Sequence, residues 1–259
     1  MTQAGRTTKS KQPSSHLTSD FAKVVAEAMA QGPAEQNFIC MYCNKGFMKE
    51  STLAAHLCEP KRRVQQKDET GVRLAFNAWV KFYELTQGSA KTKTNDDFMK
   101  SPYYKSFVKF GRHLHNLRAI NPASFTEWII KSNKKLDQWT RDDFYQEYLV
   151  AYLRKENPQD ALERGVLEMQ MWAEENKVDV SQFFRLATPS RICSMLVNGR
   201  ISPWLIYCSD SGNDSLTKFN SEQLTIAYPW IDPDYWQKRL KDYAADTEWC
   251  RHILKQAGY

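Results

Sequence analysis

Four side chains of the kinds that bind metal ions stand close together near the start of the sequence. Two residues separate Cys40 from Cys43, and His56 and Cys58 follow after twelve more. A segment this short buries too little apolar surface to fold unaided, so a bound metal has to supply the stability. Thiolates and an imidazole are the ligands that zinc takes in tetrahedral structural sites. The spacing predicts one structural Zn²⁺ bound by Cys40, Cys43, His56 and Cys58.

Two apolar residues stand at fixed distances from these ligands. Phe47 follows the second cysteine with three residues between them, and Leu53 precedes the histidine with two between. The pattern resembles the zinc-finger family of the two-Cys, two-His type, with Cys58 in place of the last histidine. The resemblance covers residues 38–60 and implies a small ββα unit. In that family the helix enters the major groove of DNA, and side chains near its start contact bases.

The last ligand departs from the spacing of that family, which places three to five residues between its final two ligands. Here only Leu57 separates His56 from Cys58. Residues two apart on a helix point in directions about 200° apart. Both side chains reach one metal only if the helix ends near Leu57, and Pro60 favours such an end because it disfavours helical geometry in the residue before it.

Two alternatives to a metal site stay open. The four residues could be buried groups of a reduced protein, although agreement at four ligand and two apolar positions disfavours this. A disulfide is also disfavoured, since no secretory signal opens the sequence and Cys193, Cys208 and Cys250 show no framework spacing. No apolar run approaches the length of a membrane span. We therefore expect an intracellular protein, cytoplasmic or nuclear, with no membrane partner.

Charge is unevenly divided along the 259 residues, whose formal net charge is +6. Residues 1–135 hold 22 Lys and Arg against 11 Asp and Glu, whereas residues 136–259 hold 14 against 19. A basic front half favours polyanionic partners, and an acidic back half favours packing or a protein partner. A solvated surface of mixed charge explains the acidic half equally well.

Composition and periodicity divide the chain into five parts. Residues 1–18 are polar without periodicity and are expected to be a disordered tail, and residues 19–34 predict a short amphipathic helix with a linker. The predicted finger occupies residues 35–60, followed by a basic linker at residues 61–67. Residues 68–259 carry repeated apolar faces between caps and prolines, which predicts an all-α domain. The predicted fold class is mainly α, with a small ββα zinc finger.

Cationic and hydroxyl side chains cluster around the predicted finger helix and directly after the last ligand. The start of the helix carries no Arg, the residue suited to bidentate guanine contacts, so we expect phosphate contacts with limited base readout. A solvated linker is the alternative for the three cations after the last ligand. The predicted nucleic-acid contacts here are Lys45, Lys49, Ser51, Lys61, Arg62 and Arg63.

A second group of cations alternates with aromatic residues farther along the chain. Cations and rings together are typical of single-strand platforms, in which bases stack on the rings. At helical spacing, however, Tyr103, Phe107 and Phe110 are more simply interpreted as core. The predicted phosphate contacts of this segment are Lys105, Lys109 and Arg112.

The pattern favours a zinc-finger nucleic-acid-binding accessory protein, binding DNA rather than RNA, in transcription or replication, of a virus for example. One alternative is a protein adaptor that docks through the finger or through the acidic half, residues 136–259. Another is an enzyme acting on nucleic acid, with the finger for substrate capture. We predict no catalytic residue, since helix caps explain most of the acids and nothing nearby orients the histidines. An enzyme would have to gather residues such as His113, His115, Asp137, Asp142 and Asp143 in one pocket.

Overall fold

The computed structural model of this chain describes residues 21–27, 38–88 and 92–259. These residues are mainly helical, which confirms the predicted fold class; the tail at 1–18 lies outside them, and of the predicted helix at 19–34 only 21–27 is described, as helix. The later elements are β1 (Phe38–Ile39), β2 (Gly46–Phe47), α1 (Glu50–Ala55), α2 (Glu59–Gln65), α3 (Thr70–Gln87), α4 (Asn95–Lys100), α5 (Tyr104–Asn116), α6 (Pro122–Lys131), α7 (Asp142–Leu153), α8 (Pro158–Asn176), α9 (Phe183–Leu186), α10 (Pro189–Val197), α11 (Pro203–Cys208), α12 (Asp210–Leu216), α13 (Ser221–Ile231), α14 (Pro233–Asp242) and α15 (Ala244–Gln256).

The chain divides into two compact units, a first unit that ends at Gln66 and a second unit from Lys67 to Tyr259. In the first, β1 and β2 pair antiparallel, with Phe38 opposite Phe47. The predicted basic linker at residues 61–67 is largely helical, because α2 extends to Gln65. Its acidic start and basic end both suit the helix dipole.

Two aromatic-rich cores build the second unit. The first lies among α3 to α7 and the second among α8 to α15, and buried rings account for much of both. None of the helices in the described ranges is both long and apolar enough to cross a membrane. The largest fully buried side chains include Phe98, Phe107, Phe110, Phe125 and Trp139 in the first core, and Phe183, Phe184, Trp204 and Trp236 in the second.

Tyr103 is not part of the first core, contrary to the sequence interpretation. Its side chain is 50% exposed, while the neighbouring Tyr104 is buried. Tyr103 precedes the first residue of α5, so the side chains of the two tyrosines do not share the inward face of that helix. Phe107 and Phe110 are fully buried as predicted, and they therefore present no ring on which a base could stack.

Helices α3 and α5 approach so closely that only glycine fits at their crossing. A Cβ atom added at Gly111 would lie 2.2 Å from the carbonyl oxygen of Gly71 and 2.4 Å from the amide nitrogen of Ala75. Both neighbours are backbone atoms, so neither can move aside by a change of rotamer. We expect Gly111→Ala to lower the free energy of unfolding by about 1–3 kcal/mol through overpacking.

A matched control for Gly111→Ala is Gly165→Ala in α8. There the added Cβ would meet the side-chain atom Cδ2 of Leu205 at 2.7 Å, and the end of a side chain yields at a smaller cost than backbone atoms. Both changes gain the same helix propensity, so the difference reports on the crossing. Urea unfolding followed by tryptophan fluorescence measures it, since all eight tryptophans, from Trp79 to Trp249, lie in the second unit. Equal losses in the two variants would contradict the account.

Candidate metal centre

A tight turn brings the first two cysteines together after β1. The amide of Cys40 donates to the carbonyl of Lys45 at 2.9 Å, and the amide of Asn44 donates to the carbonyl of Cys40 at 2.8 Å. Asn44 closes the turn with φ of 56°, a left-handed conformation that asparagine tolerates better than most residues. The turn holds the thiols of Cys40 and Cys43 next to one another.

The other two ligands lie in an extended segment between α1 and α2. Helix α1 ends at Ala55, and both His56 (φ −70°, ψ 121°) and Cys58 (φ −80°, ψ 163°) have extended backbone. Alternate residues of an extended chain point to the same side, which explains how His56 and Cys58, two positions apart, can face one metal ion. Leu57 between them is 53% exposed.

This geometry differs in detail from the sequence prediction. The helix was expected to carry His56 and to end near Leu57, but it ends before the histidine. Pro60 lies in the first turn of α2, where its fixed φ favours the start of a helix. The residue before it, Glu59, is therefore helical, and the break in the chain precedes both residues.

The four donor atoms are spaced for one four-coordinate ion. The sulfurs of Cys40 and Cys58 are 3.9 Å apart, and the Cys43 sulfur lies 3.3 Å from Nε2 of His56. All four donor atoms lie within 4.8 Å of one another. A tetrahedral metal at about 2.3 Å from sulfur and 2.0–2.1 Å from nitrogen separates two sulfurs by about 3.8 Å and sulfur from nitrogen by about 3.6 Å. The group can therefore hold a metal ion.

The thiols influence one another through their short separations. Burial raises the pKa of Cys40, but hydrogen bonds with the backbone of Tyr42 and Cys43 and with the thiols of Cys43 and Cys58 outweigh this effect, so the pKa of the Cys40 thiol lies below its usual value. The backbone at Lys45 lowers the pKa of Cys43, while desolvation and the two other thiols raise it above its usual range. A cation among the three sulfurs would relieve this crowding of negative charge.

Side chains around the site support the ligands. The rings of Phe47 and His56 lie 4.7 Å apart, centroid to centroid. Lys61 donates from Nζ to the backbone oxygen of His56 at 3.0 Å, a contact that the sequence analysis missed because a lysine five residues after a ligand has no characteristic spacing. Glu59 pairs with Arg62 at 3.6 Å and with Arg63 at 3.2 Å.

The residues predicted to contact nucleic acid are in part exposed and in part engaged within the protein. Lys61 and Arg63 are half-buried, and both contact neighbouring groups of the first unit. Arg112 is exposed but pairs with Glu69 at 2.8 Å. The exposed members of the first unit are Lys45, Lys49, Ser51 and Arg62, and those of the second unit are Lys105, Lys109 and Arg112.

The three cations of the second unit form one stripe on α5. Positions 105, 109 and 112 are four and three residues apart, which places them on one face of a helix. Each side chain is exposed, whereas the opposite face of α5 is buried in the first core. The structure therefore places these predicted residues together on one exposed, basic helix face.

The histidines considered for catalysis do not share a common environment. His113 is half-buried with its Nε2 3.8 Å from Asp142, too far for a hydrogen bond, and His115 is exposed. Among the described residues, no other group of three or more His, Cys, Asp or Glu side chains is arranged for a metal.

His113 is expected to make the stability of the second unit depend on pH. Burial lowers its pKa below the usual 6.5; Asp142 opposes this shift and Lys109 adds to it. Its buried Nε2 also lacks a hydrogen-bond partner. Since the unfolded chain takes up the proton more readily, the free energy of unfolding has its full value above about pH 6.5 and declines as the pH falls below it.

The change His113→Gln should remove this part of the decline. Urea unfolding of both proteins between about pH 7 and pH 5 measures the effect. Identical pH dependence in the two proteins would show that His113 does not contribute.

No protein-family model, curated protein or solved structure matched this chain when it was compared with them. The assignment of a metal centre rests on the positions of Cys40, Cys43, His56 and Cys58 themselves.

Proposed function

We propose that the chain is a nucleic-acid-binding protein whose first unit is stabilised by one Zn²⁺. The observation that carries the proposal is the group of Cys40, Cys43, His56 and Cys58 within a short segment whose charged side chains are mostly cationic. Residues 38–66 carry five Lys or Arg against two Asp or Glu. The metal stabilises the fold of this segment, and the Lys and Arg side chains of the segment contact phosphate.

Zinc is the metal that suits this donor set. Three thiolates and an imidazole at tetrahedral spacing are ligands that soft or borderline ions prefer, and Mg²⁺ and Ca²⁺ prefer oxygen. The segment also needs the ion, since Cys40 is the only buried residue among residues 38–66. With so little buried apolar surface, the binding free energy of the metal is the main source of stability.

Phosphate contact is the interaction to which the exposed side chains of the first unit are best suited. Lys45, Lys49 and Arg62 are exposed cations, and the hydroxyl of Ser51 lies in the first turn of α1. Lysines act as point charges toward phosphate and carry little sequence information. The expected mode is therefore electrostatic, with limited base readout and steep salt dependence.

The stripe on α5 supplies a second basic surface. Lys105, Lys109 and Arg112 lie in the front half of the chain, where positive charge is in excess. A helix face with cations at this spacing can follow a phosphate backbone over about two turns of the helix. In this proposal both units take part, and DNA is the favoured partner, with RNA as an outcome of the test.

The adaptor alternative has one observation in its favour. The first unit exposes large apolar side chains, with Met41 at 82%, Ile39 at 62% and Met48 at 54%. Exposed apolar groups of this size are typical of protein contacts. Binding to a protein partner that persists at high salt, together with no binding to nucleic acid at low salt, would favour this alternative.

The test compares two triple variants of equal charge. Lys45, Lys49 and Arg62 are changed to Ala in one, and the exposed Lys218, Lys238 and Lys241 of the second unit are changed in the other. Fluorescence anisotropy with labelled duplex DNA, single-stranded DNA and RNA, from about 0.05 to 0.2 M salt, gives affinity and salt slope. The first variant should reduce the slope by about 2–3, since each lost phosphate contact removes about 0.9. Equal losses in both variants, or no binding by the unmodified chain, would contradict the proposal.

A further inference from the structure

A small pocket lies between the end of α4 and the start of α5. Its volume is about 250 Å³, and none of the three cations of the stripe on α5 is among its lining residues. The pocket is therefore a feature separate from the phosphate contacts proposed above and from the metal centre. The lining residues that could contact a ligand are Trp79 of α3, Lys93 before α4, and Lys100 and Ser101 at the end of α4.

Positive charge is in excess at this pocket. Lys100 is exposed, and Nζ of Lys93 lies 4.6 Å from the centroid of the Tyr83 ring, a contact that keeps the ammonium group at the pocket wall. The carboxylate of Asp97 also lines the pocket, but it accepts hydrogen bonds from the amide and the hydroxyl of Thr94 at 3.1 and 2.8 Å. Two cations beside one carboxylate that is engaged in a helix cap favour an anionic ligand.

Two buried hydrogen-bond donors are part of the same wall. Trp79 is 3% exposed, and its Nε1–H has no acceptor within the described part of the chain. Ser101 is 8% exposed, and its Oγ accepts from the amide of Tyr103 at 3.2 Å, which leaves the hydroxyl proton for a ligand. A buried donor without an acceptor costs free energy, and phosphate oxygens are strong acceptors. The donors and the two lysines together suit a phosphate group.

An exposed aromatic ring stands beside the pocket. Tyr103 directly follows Pro102, which lines the pocket, and the amide of Tyr103 is bonded to Ser101. The side chain of Tyr103 is 50% exposed, whereas the other aromatic residues between positions 103 and 110 are buried. Tyr103 is therefore the ring of this segment on which a base can stack.

We propose, on the basis of the nucleic-acid binding proposed above, that this site binds one nucleotide of a single strand, with the phosphate in the pocket and the base on Tyr103. Only one sugar separates a phosphate from its base, so a nucleotide held by its phosphate can place its base on the neighbouring ring. In a duplex the faces of each base are covered by the neighbouring base pairs. An unpaired base leaves a face free for the ring, which selects single strands at this site.

Photochemical cross-linking locates the base. Oligothymidylate in which iodouracil replaces thymine is bound to the full chain and irradiated, and the tryptic peptides are analysed by mass spectrometry. Since trypsin cuts after Lys and Arg, Tyr103 falls in residues 101–105, and Tyr228, which is 55% exposed, falls in residues 219–238. We expect the link in peptide 101–105, on Tyr103 rather than on the buried Tyr104, and no link in peptide 219–238.

Variants of the ring test stacking by fluorescence anisotropy. Tyr103→Leu should weaken the binding of oligothymidylate at least about fivefold and leave the binding of duplex DNA unchanged, since it removes the ring and keeps an apolar side chain. Tyr103→Phe keeps the ring and should bind as the unmodified chain does. Tyr228→Leu is the matched control, because this ring is equally exposed but lies in α13, and its affinity should not change.

Variants of the pocket test the phosphate contact. Lys93 and Lys100 changed together to Gln should reduce the salt slope of oligothymidylate binding by about 0.7, the value for one phosphate of a single strand. The same change at the exposed Lys218 and Lys238 should leave the slope as it is.

The outcomes separate this site from the proposed function. Cross-links confined to other peptides, or equal losses of affinity in Tyr103→Leu and Tyr228→Leu, would overturn the site and leave nucleic-acid binding intact, since the variants of the first unit test that binding. A chain that binds neither single strands nor duplexes would contradict both. Thymidine monophosphate that abolishes the cross-link at the concentration of the strand would assign the pocket to a free nucleotide and overturn its assignment to a strand.

Discussion

Removal of the metal is expected to unfold residues 38–66 and to leave the second unit folded. The first unit has one buried residue, Cys40, in that range, so no apolar core remains when the ion leaves. Structural zinc contributes about 10–16 kcal/mol of apparent binding free energy in small fingers, far more than a segment of this size gains by burial. Hydrogen exchange with and without a chelator, resolved by peptide, measures the loss of protection in β1, β2 and α1.

Tryptophan fluorescence is the internal control for this prediction. All eight tryptophans lie in the second unit, so the emission spectrum and the urea midpoint should not change when the metal is removed. Cys40→Ser should have the effect of the chelator, whereas Cys193→Ser in the second core should keep both the metal and the protection. Protection that persists in residues 38–66 after complete metal removal would contradict a metal-dependent fold.

The change Glu156→Gln is expected to destabilise the second unit by about 3–5 kcal/mol. The carboxylate of Glu156 is fully buried and accepts hydrogen bonds from two guanidinium nitrogens of Arg164, one of them at 2.8 Å. Arg164 also donates from Nε to the carbonyl of Gly199 at 2.8 Å, which fixes its position. Glutamine keeps the size of the side chain but removes the charge, so Arg164 is left as an uncompensated buried cation.

An exposed ion pair provides the comparison. Glu248 pairs with Arg251 at 3.2 Å, with 74% and 52% of the two side chains exposed. Glu248→Gln should change the free energy of unfolding by less than about 1 kcal/mol, since water and salt screen such pairs. Urea unfolding of both variants, followed by tryptophan fluorescence, gives the two values. A loss at Glu156 as small as that at Glu248 would show that the buried pair is not important for stability.

The cluster of Cys40, Cys43, His56 and Cys58 could be predicted from sequence because its geometry is local. A two-residue spacing at Cys40 and Cys43 specifies a turn, and helix periodicity places Leu53 near the ligands without knowledge of the rest of the fold. The exact end of α1 was wrong by two residues, since extended backbone at His56 and Cys58 depends on the competing start of α2. Apolar periodicity likewise predicted the mainly α fold class.

Contacts between distant residues could not be predicted in the same way. Arg164 and the backbone of Gly199 meet only after several helices have packed, and no spacing in the sequence relates them. Tyr103 shows a smaller version of the problem, because a shift of one residue at the start of α5 exchanges a buried ring for an exposed one. The segment predicted to be a basic linker is largely helical, since the acidic start and the basic end of α2 both suit the helix dipole and favour a helix at Lys61 to Arg63.

Cobalt titration of the metal-free chain tests the central claim, a four-coordinate site made by Cys40, Cys43, His56 and Cys58, most directly. We expect saturation at one Co²⁺ per chain, the visible spectrum of a tetrahedral ion, and displacement by one equivalent of Zn²⁺. The near-ultraviolet band from thiolate to cobalt should lose about one third of its intensity in Cys58→Ser, as one of three thiolates is removed. An unchanged spectrum in Cys58→Ser, or no tetrahedral Co²⁺ in the unmodified chain, would contradict the account.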